Sequence, residues 1–310
     1  MSKPILKWAG GKTQLINQIE KFLPEEIKNR KLKKYAEPFI GGGALFFYLQ
    51  DKYKIDETYI SDTNKDLILL YKTVKENLNE LLKQLLIISN KYHAITIEEN
   101  RKEYFYKIRE LYNEGITESS YQNLTKESIF RAAQLIFLNR TSFNGLYRVN
   151  SMGLFNVPFG KYKNPGIYNE KGLTEASKLL KNTIIECSSY QEIPKEFLTN
   201  SLIYFDPPYR PLSNTSSFTA YNKSNFNDIS QIELANYYKK ISKNKNLYLI
   251  LSNSDPKNSD KNDKFFDELY NQFIISRVSA TRIINSKSEG RGKITEILVT
   301  NKEFKKVLKR

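Results

Sequence analysis

Short apolar runs that stop on an acidic residue recur along the chain, and they predict the strands of an α/β sheet. The run 201–205 leads directly into Asp206-Pro207-Pro208-Tyr209. A continuous apolar run is typical of a strand buried on both faces, and two prolines cannot extend its hydrogen-bond ladder. Because ligands bind at the carboxyl ends of strands in open α/β sheets, the pattern predicts Asp206 and Tyr209 at a binding edge. An ordinary Asp-Pro turn is the alternative.

The same periodicity predicts the remaining elements. Three helical stripes, 67–85, 104–112 and 129–137, lie between the second and third predicted strands. The predicted organisation is therefore an α/β domain, 1–63 and 181–310, interrupted by a mainly helical insertion, 64–180. Besides 201–205, strands are predicted at the start of 34–47 and at 58–62, 183–187, 247–255, 273–278 and 294–300; the polar, aromatic stretch 217–221 is predicted as a loop over the site.

Two glycine-rich turns belong to this arrangement. Gly41-Gly42-Gly43 follows the first strand, and Asp62 ends the second strand about 20 residues later. Strand, glycine loop, helix, strand and acid together are typical of adenosine binding, in which the carboxylate accepts from ribose hydroxyls. Gly10-Gly11-Lys12-Thr13 is not a P-loop, because Leu6 stands where that motif needs a glycine. This turn can still present N–H groups and Lys12 to an anion, and a plain helix entry is its alternative.

Composition excludes several kinds of chemistry. The chain has one cysteine, Cys187, and one histidine, His93. A zinc site needs about four ligands, so we expect no metal, and a Ser/His/Asp triad would depend on His93 in its polar helical region. Apolar runs are far shorter than the roughly 18 residues that span a membrane, and the N-terminus lacks a signal-peptide core. We expect a cytoplasmic protein, without a membrane partner, that works through carboxylates, tyrosine, lysine or the backbone.

The charge distribution favours a polyanionic partner. The formal net charge is +15 over 310 residues. A solvated helix face usually mixes both signs, so a long window without acids predicts phosphate contacts. Two alternating segments around 151–153 predict a β-hairpin in that window, suited to guanine contacts and to wedging into a base stack; an ordinary surface hairpin is the alternative. The window 128–169 has no Asp or Glu but contains Arg131, Arg140, Arg148, Lys161 and Lys163.

Six motifs in order carry a resemblance to a known family. They are Lys7-Trp8-Ala9-Gly10-Gly11-Lys12, Glu37-Pro38-Phe39-Ile40-Gly41-Gly42-Gly43, Asp62, Phe143-Asn144-Gly145-Leu146-Tyr147-Arg148, Asn156-Val157-Pro158-Phe159-Gly160 and Asp206-Pro207-Pro208-Tyr209. Nearly end to end, the chain resembles the Dam-like adenine-N6 DNA methyltransferases (D12 class, alpha group). The resemblance implies a Rossmann-like, seven-stranded methyltransferase sheet and makes 64–180 a target-recognition domain that carries the hairpin. It also implies a duplex DNA substrate, commonly at GATC, although residues 285–292 depart from the Dam members.

By the same resemblance, the site residues fall into three sets, and none of them implies a metal. The cofactor S-adenosylmethionine is expected at Trp8, Lys12, Glu37, Phe39, Gly41, Gly43, Asp62 and Asp206. Catalysis is expected at Asp206, Pro207 and Tyr209. DNA is expected at Arg140, Phe143, Asn144, Leu146, Arg148, Pro158 and Tyr162. We also expect a monomer or weak dimer associated with a bacterial or phage nucleoid, acting either alone or beside a restriction endonuclease that cuts the same site.

The expected chemistry follows from adenine itself. Its exocyclic nitrogen is a poor nucleophile, because the lone pair is delocalised into the ring. Asp206 and the Pro207 carbonyl would accept both amino hydrogens and favour a tetrahedral nitrogen for in-line attack on a sulfonium methyl, largely through positioning. The base must first leave the duplex, and Tyr209 would then stack on it. Two alternatives remain: a methyltransferase acting on RNA or a protein amide, and a DNA-binding module with an inactive cofactor site.

Overall fold

A computed structural model describes residues 4–210, 226–281 and 293–304 of the chain. The predicted loop 217–221 lies outside these ranges, as do the residues 285–292 that depart from the Dam pattern.

Seven strands form one sheet in the order β3-β2-β1-β4-β5-β7-β6. The first five pair in parallel, and β7 is antiparallel to both of its neighbours. This confirms the predicted Rossmann-like α/β sheet with all seven strands. In chain order they are β1 Lys34–Glu37, β2 Glu57–Asp62, β3 Thr183–Cys187, β4 Ser201–Phe205, β5 Leu247–Ser254, β6 Ile274–Thr281 and β7 Lys293–Thr300.

The strand order reverses at β1, which has β2 on one side and β4 on the other. Ala36 of β1 pairs with Tyr59 of β2 and with Ile203 of β4. The carboxyl ends of these three strands therefore lie side by side, at the kind of reversal where open α/β sheets bind ligands.

The central strand β4 is apolar after Ser201 because two cores enclose it. Leu202 and Tyr204 pack in one core with the inserted helices, whereas Ile203 and Phe205 pack in a second core on the other face. All five residues of β4 are buried. Its sequence shows no polar alternation for this reason.

Helices cover the sheet and form the insertion. The predicted stripe 67–85 is two helices, which meet at Asn77 with non-helical angles. Both helices pack on the helix that contains residues 129–137, and the first also packs on β2 and β3, so the break lets one apolar stripe contact both the sheet and the inserted helices. Within the described ranges, no helix has the length and apolar character needed to cross a membrane. The helices are α1 Ile16–Ile19, α2 Glu25–Lys28, α3 Ala44–Tyr53, α4 Lys65–Glu76, α5 Leu78–Ala94, α6 Glu98–Glu114, α7 Glu118–Gln122, α8 Lys126–Thr141, α9 Glu170–Leu180, α10 Asp228–Ile241 and α11 Phe265–Leu269.

A buried ion pair joins α4, the first helix of the insertion, to the later inserted helices. Arg131 of α8 bonds both oxygens of Asp66, with Nη2 2.9 Å from Oδ2. Tyr112 and Tyr121 each donate to the same carboxylate at 2.7 Å. The predicted phosphate contact of Arg131 is therefore wrong, because Asp66 reaches it from outside the acid-free window. Since α4 packs on both the sheet and the insertion, a domain boundary between residues 63 and 64 stays a prediction.

The predicted β-hairpin around 151–153 forms a chain reversal rather than two regular strands. One antiparallel bridge joins Val149 and Phe155. Within the turn, Oδ1 of Asn150 accepts from two backbone N–H groups at 3.0 Å each. The amide of Asn113, on α6, bonds the N–H and the carbonyl of Phe155 at 2.8 and 3.1 Å. Backbone hydrogen bonds from the Asn150 N–H to the Leu154 carbonyl at 2.9 Å and from the Asn156 N–H to the Arg148 carbonyl at 3.0 Å flank this bridge. The predicted hairpin is therefore present in short form, and side-chain amides support its turn and its outer edge.

Candidate active site

Three carboxylates lie along the edge of the sheet where β1, β2 and β4 end. Glu37 is the last residue of β1, Asp62 is the last residue of β2, and Asp206 directly follows β4. We call these three residues the carboxylate edge. In the described ranges, no group of three or more His, Cys, Asp or Glu side chains could hold a metal ion.

The glycine loop after β1 folds back onto Asp62. The N–H of Gly41 donates to Asp62 Oδ2 at 3.2 Å, and the Gly41 carbonyl accepts from the Tyr71 hydroxyl at 2.9 Å. Gly41 and Gly43 have φ of 46° and 70°, which glycine adopts without strain. A Cβ on Gly43 would lie 2.8 Å from the Tyr71 oxygen. The loop therefore requires glycine for its backbone angles and for close packing.

Two aromatic residues of the predicted cofactor set lie in different clusters. Trp8 packs on the glycine loop, where a Cβ on Gly41 would meet its ring at 2.9 Å. Trp8 also stacks on Tyr147, with ring centroids 5.1 Å apart. Phe39 instead stacks on Tyr190 at 5.4 Å, in the second core. Trp8 is thus the aromatic residue that joins the glycine loop to the inserted part of the chain.

Lys12 lies between Asp206 and Tyr209. Its Nζ is 2.8 Å from Asp206 Oδ1 and 4.3 Å from the centroid of the Tyr209 ring. The same ammonium donates to the Gly10 carbonyl at 2.7 Å. Lys12 is only 5% exposed, and a buried charge of this kind needs such partners. The Lys12 ammonium therefore contacts both Asp206, the predicted hydrogen-bond acceptor, and the ring of Tyr209, which is predicted to stack on the base.

Burial disfavours ionisation along the carboxylate edge. It raises the pKa of Glu37 to about 8, against the hydrogen bond from Tyr35 at 2.6 Å and with the help of the Asp206 charge. Burial also raises the pKa of Asp206, while the Lys12 ammonium opposes this shift. The pKa of Asp62 is raised by burial too. A cationic ligand at this edge would therefore favour the ionised forms.

Buried amides hold the loop that follows β4. Gln231 of α10 donates to the Pro208 carbonyl at 3.0 Å and accepts from Asn253 of β5 at 3.0 Å. The Tyr209 hydroxyl donates to Glu296 of β7. Sequence reasoning missed these supports; an amide inside the apolar stripe of a helix or strand is the signal that could have found Gln231 and Asn253, both fully buried.

Residues 142–162 form what we call the recognition segment. It begins at a single turn of 3-10 helix, Phe143–Gly145, in which Asn144 has φ of 56°. The Phe143 N–H donates to the Pro158 carbonyl at 2.9 Å. Phe143 is 53% exposed, and Asn144 and Pro158 are exposed beside it. The structure thus brings three predicted DNA-contacting residues together at the surface.

The other predicted DNA-contacting residues are more enclosed. Arg148 Nε donates to Asn156 Oδ1 at 2.8 Å, and Arg140 donates to the Ile5 carbonyl at 2.7 Å. Arg140 also lines a cleft of about 540 Å³. Leu146 is partly buried against the first core. Neither arginine pairs with a carboxylate in the part of the chain that the structure describes, so both positive charges remain uncompensated.

Asn139 of α8 ties the recognition segment to the N-terminal motif. Its Oδ1 accepts from the Lys7 N–H at 2.9 Å, and its Nδ2 donates to the carbonyls of Lys7 and Gly145 at 2.8 Å each. The Lys7 ammonium lies 5.8 Å from the centroid of the Tyr162 ring. Sequence reasoning missed Asn139, whose signal is an amide in the buried stripe of α8.

A seven-stranded sheet with a glycine loop after β1, an acid after β2 and Asp-Pro-Pro-Tyr after β4 defines a Rossmann-like methyltransferase. The D12 class N6 adenine-specific DNA methyltransferases match residues 8–284, and the chain belongs to this family. It is therefore an adenine-specific DNA methyltransferase, as the six motifs predicted. Family membership implies S-adenosylmethionine as the methyl donor and DNA as the substrate.

Curated relatives cover almost the whole chain. A "Type II methyltransferase M.MjaIII" of Methanocaldococcus jannaschii is 47% identical over 96% of this chain and 99% of its own. A "Type II methyltransferase M1.LlaDCHI" of Lactococcus lactis subsp. cremoris is 38% identical over 96% and 95%. A "DNA adenine methylase" of Vibrio cholerae is 33% identical over the same two shares.

Proposed function

We propose that this methyltransferase modifies adenine N6 within a short site in duplex DNA, with GATC as the first candidate. The observation that carries the proposal is the placement of Asp206 and Tyr209 at the sheet edge beside a glycine loop, with an exposed apolar residue, Phe143, in the recognition segment.

The cofactor-binding residues are those around the glycine loop. Gly41 and Gly43 let the loop pack closely on Trp8 and Tyr71, and Asp62 ends β2, the position from which a carboxylate can accept from ribose hydroxyls. Trp8, Lys12, Glu37 and Phe39 complete the set with Asp206. Three carboxylates along one edge suit a cationic ligand, so these residues fit S-adenosylmethionine. When bound, it supplies the electrophilic methyl group.

The chain's own residues prepare the nucleophile. Asp206 accepts one amino hydrogen of the flipped adenine and the Pro207 carbonyl accepts the other, which directs the nitrogen lone pair out of the ring plane. Tyr209 stacks on the base, with its hydroxyl held by Glu296. Because Lys12 now covers Asp206 and the Tyr209 ring, its ammonium must shift as the base enters.

Target choice belongs to the recognition segment. Phe143 and Asn144 are exposed at its first turn and can wedge into the base stack. Leu146, Arg148, Pro158 and Tyr162 read the neighbouring bases, with arginine suited to guanine. Arg140, which has no carboxylate partner among the described residues, contributes positive charge toward a phosphate.

The biological role follows one of two patterns in a bacterial or phage cytoplasm. Either the chain acts alone like a Dam enzyme, or it protects DNA from a cognate restriction endonuclease. The relatives named as type II methyltransferases favour the second pattern. We infer a monomer or weak dimer at the nucleoid in both cases.

Sequencing that detects N6-methyladenine tests the proposal directly. The chain is expressed alone in a host without adenine methylation, beside Asp206→Asn as the control. We expect methylation of one short motif, absent from the control. A single motif other than GATC overturns only the target assignment. Methylation of RNA with none in DNA, or no methylation at all, overturns the proposed function.

A further inference from the structure

Two contacts on the Asp206 carboxylate fall on the same oxygen. Lys12 Nζ lies 2.8 Å from Oδ1, and Ser252 Oγ donates to Oδ1, also at 2.8 Å. Among the described residues, no hydrogen bond reaches Oδ2. Oδ1 therefore already has two donors, whereas Oδ2 can still accept a hydrogen bond.

Ser252 is itself held by a second hydroxyl. Its Oγ lies 2.8 Å from the hydroxyl oxygen of Tyr204. A serine hydroxyl has a single hydrogen, which is given to Asp206, so the Tyr204 hydroxyl must donate to Ser252. Both residues are buried, and their strands, β4 and β5, are direct neighbours. A relay of two hydroxyls thus runs from the core to Oδ1.

We propose that Ser252, oriented by Tyr204, is a positioning residue that fixes the rotation of the Asp206 carboxylate and leaves Oδ2 to accept from the target amine. A free carboxylate can rotate about its terminal torsion, whose energy profile is broad. The Ser252 hydroxyl, donating to Oδ1 from β5, restricts that rotation, and it continues to do so when the Lys12 ammonium shifts. The relay rests on the proposed role of Asp206 and adds the residue that sets its geometry.

The relay also stabilises the ionised form that must accept a hydrogen bond. The Ser252 hydrogen bond lowers the pKa of Asp206, against the larger effect of burial. The other ionisable groups facing Asp206 are Lys12, Tyr35, Glu37, Tyr204 and Tyr209. Burial raises the pKa of all three tyrosines and, in the cofactor-free protein, raises that of Glu37 to about 8. Because Ser252 donates to Asp206 and to no other carboxylate among the described residues, a shift of the acidic limb in Ser252→Ala reports Asp206.

The test is the single-turnover rate of methyl transfer at saturating S-adenosylmethionine and duplex DNA, across the pH range. Ser252→Ala is expected to lower this rate about 10- to 100-fold, the effect of a hydrogen bond to a charged group. Its acidic limb should move to higher pH, with both dissociation constants unchanged. Tyr204→Phe should have a smaller effect in the same direction and no further effect when combined with Ser252→Ala. Ser252→Thr, which keeps the hydroxyl, should recover part of the rate.

Ser201→Ala is the matched control, because Ser201 is a buried, hydrogen-bonded serine at the opposite end of β4. A wild-type rate and an unmoved acidic limb in Ser252→Ala and Tyr204→Phe overturn the relay, as does a loss confined to cofactor affinity. If Ser252→Ala does not fold, Tyr204→Phe, which removes one oxygen atom, decides alone. Asp206→Asn separates the two proposals: full activity in that variant overturns the role of Asp206 itself.

Discussion

The carboxylate edge and the recognition segment are built in opposite ways. At the edge, Glu37 and its neighbour Lys12 are buried and already bonded to other residues of the chain. In the segment the backbone is anchored, but Phe143 and Met152 are 53% and 69% exposed. The difference teaches that the groups proposed for chemistry are organised before any ligand arrives, whereas the residues proposed for target choice include exposed side chains that can still gain partners on DNA.

Asp206→Ala is the variant with the largest expected effect, and it tests whether the carboxylate edge and the recognition segment act separately. It removes the acceptor from the preorganised region, and we expect methyl transfer to fall about 10²- to 10³-fold, the effect of losing one group aimed at developing charge. Duplex binding should persist, because the recognition segment is untouched. Radiolabel transfer and fluorescence anisotropy measure the two properties.

Asp206→Asn is the matched variant, because it keeps an acceptor for Lys12 and so limits the cost of an unpaired buried ammonium. We expect it to lose transfer while melting close to the wild type. Equal loss of transfer and duplex binding in both variants would show that the two regions are not separate.

Phe143→Ala tests the recognition segment. Because Phe143 is exposed, thermal stability should be unchanged, but specific duplex binding should weaken about ten-fold if the ring stacks on a base. Ile97→Ala, at an apolar residue that is 60% exposed before α6, is the control and should leave binding intact. A base analogue that fluoresces when unstacked reports insertion; an unchanged signal in Phe143→Ala would contradict the wedge.

Gly43→Ala tests the close packing of the glycine loop beside the carboxylate edge. The new Cβ would lie 2.8 Å from the Tyr71 hydroxyl oxygen. Residue 43 also has a φ of 70°, and this backbone angle alone destabilises a residue that has a side chain by about 1–2 kcal/mol. Gly166→Ala is the control, because its Cβ would meet nothing within 4 Å and its φ is not in the left-handed range. Urea unfolding should therefore show a larger loss for Gly43→Ala, and only that variant should weaken cofactor binding. A loss in Gly43→Ala no larger than the cost of the backbone angle would remove the crowding argument.

The smallest expected effect is the pH dependence due to Glu37. Its pKa is about 8 in the folded protein, against 4.5 for an ordinary glutamate. The protonated form is thus favoured by folding, and this stability is fully present below pH 4.5 and is lost as pH rises through 8. Glu37→Gln cannot ionise, so its melting temperature should fall less than that of the wild type between pH 6 and 8. Parallel curves would show that Glu37 is ionised in the cofactor-free protein.

The sequence predicted the sheet and its edge because the signals there are local. An apolar run that ends on Asp62 or Asp206 contains both the strand and its functional end. The recognition segment could be located by its motif and its short hairpin by the alternating pattern, but the contacts that anchor it could not be predicted. Asn113 accepts from the N–H of Phe155 from 42 residues away, and no local pattern indicates that pairing.

Charge showed the same limit. Residues 128–169 contain no acid, yet Asp66 neutralises Arg131 and Glu98 lies 3.4 Å from Lys161. Acidic residues from other segments of the chain can therefore lie beside a stretch that contains none. For Arg140 and Arg148 it stays a prediction, since their partners within the described ranges are carbonyl and amide oxygens.

The Asn139 amide has a consequence for how the protein is made. It joins Lys7 to a helix 132 residues later in the chain. At about 5–20 residues per second on the ribosome, Lys7 and Trp8 emerge several seconds to about half a minute before this partner exists. The first-made part of the proposed cofactor site thus waits for a residue that is made much later. A nascent chain that stalls inside the insertion would leave the N-terminal motif without the amide that seats it.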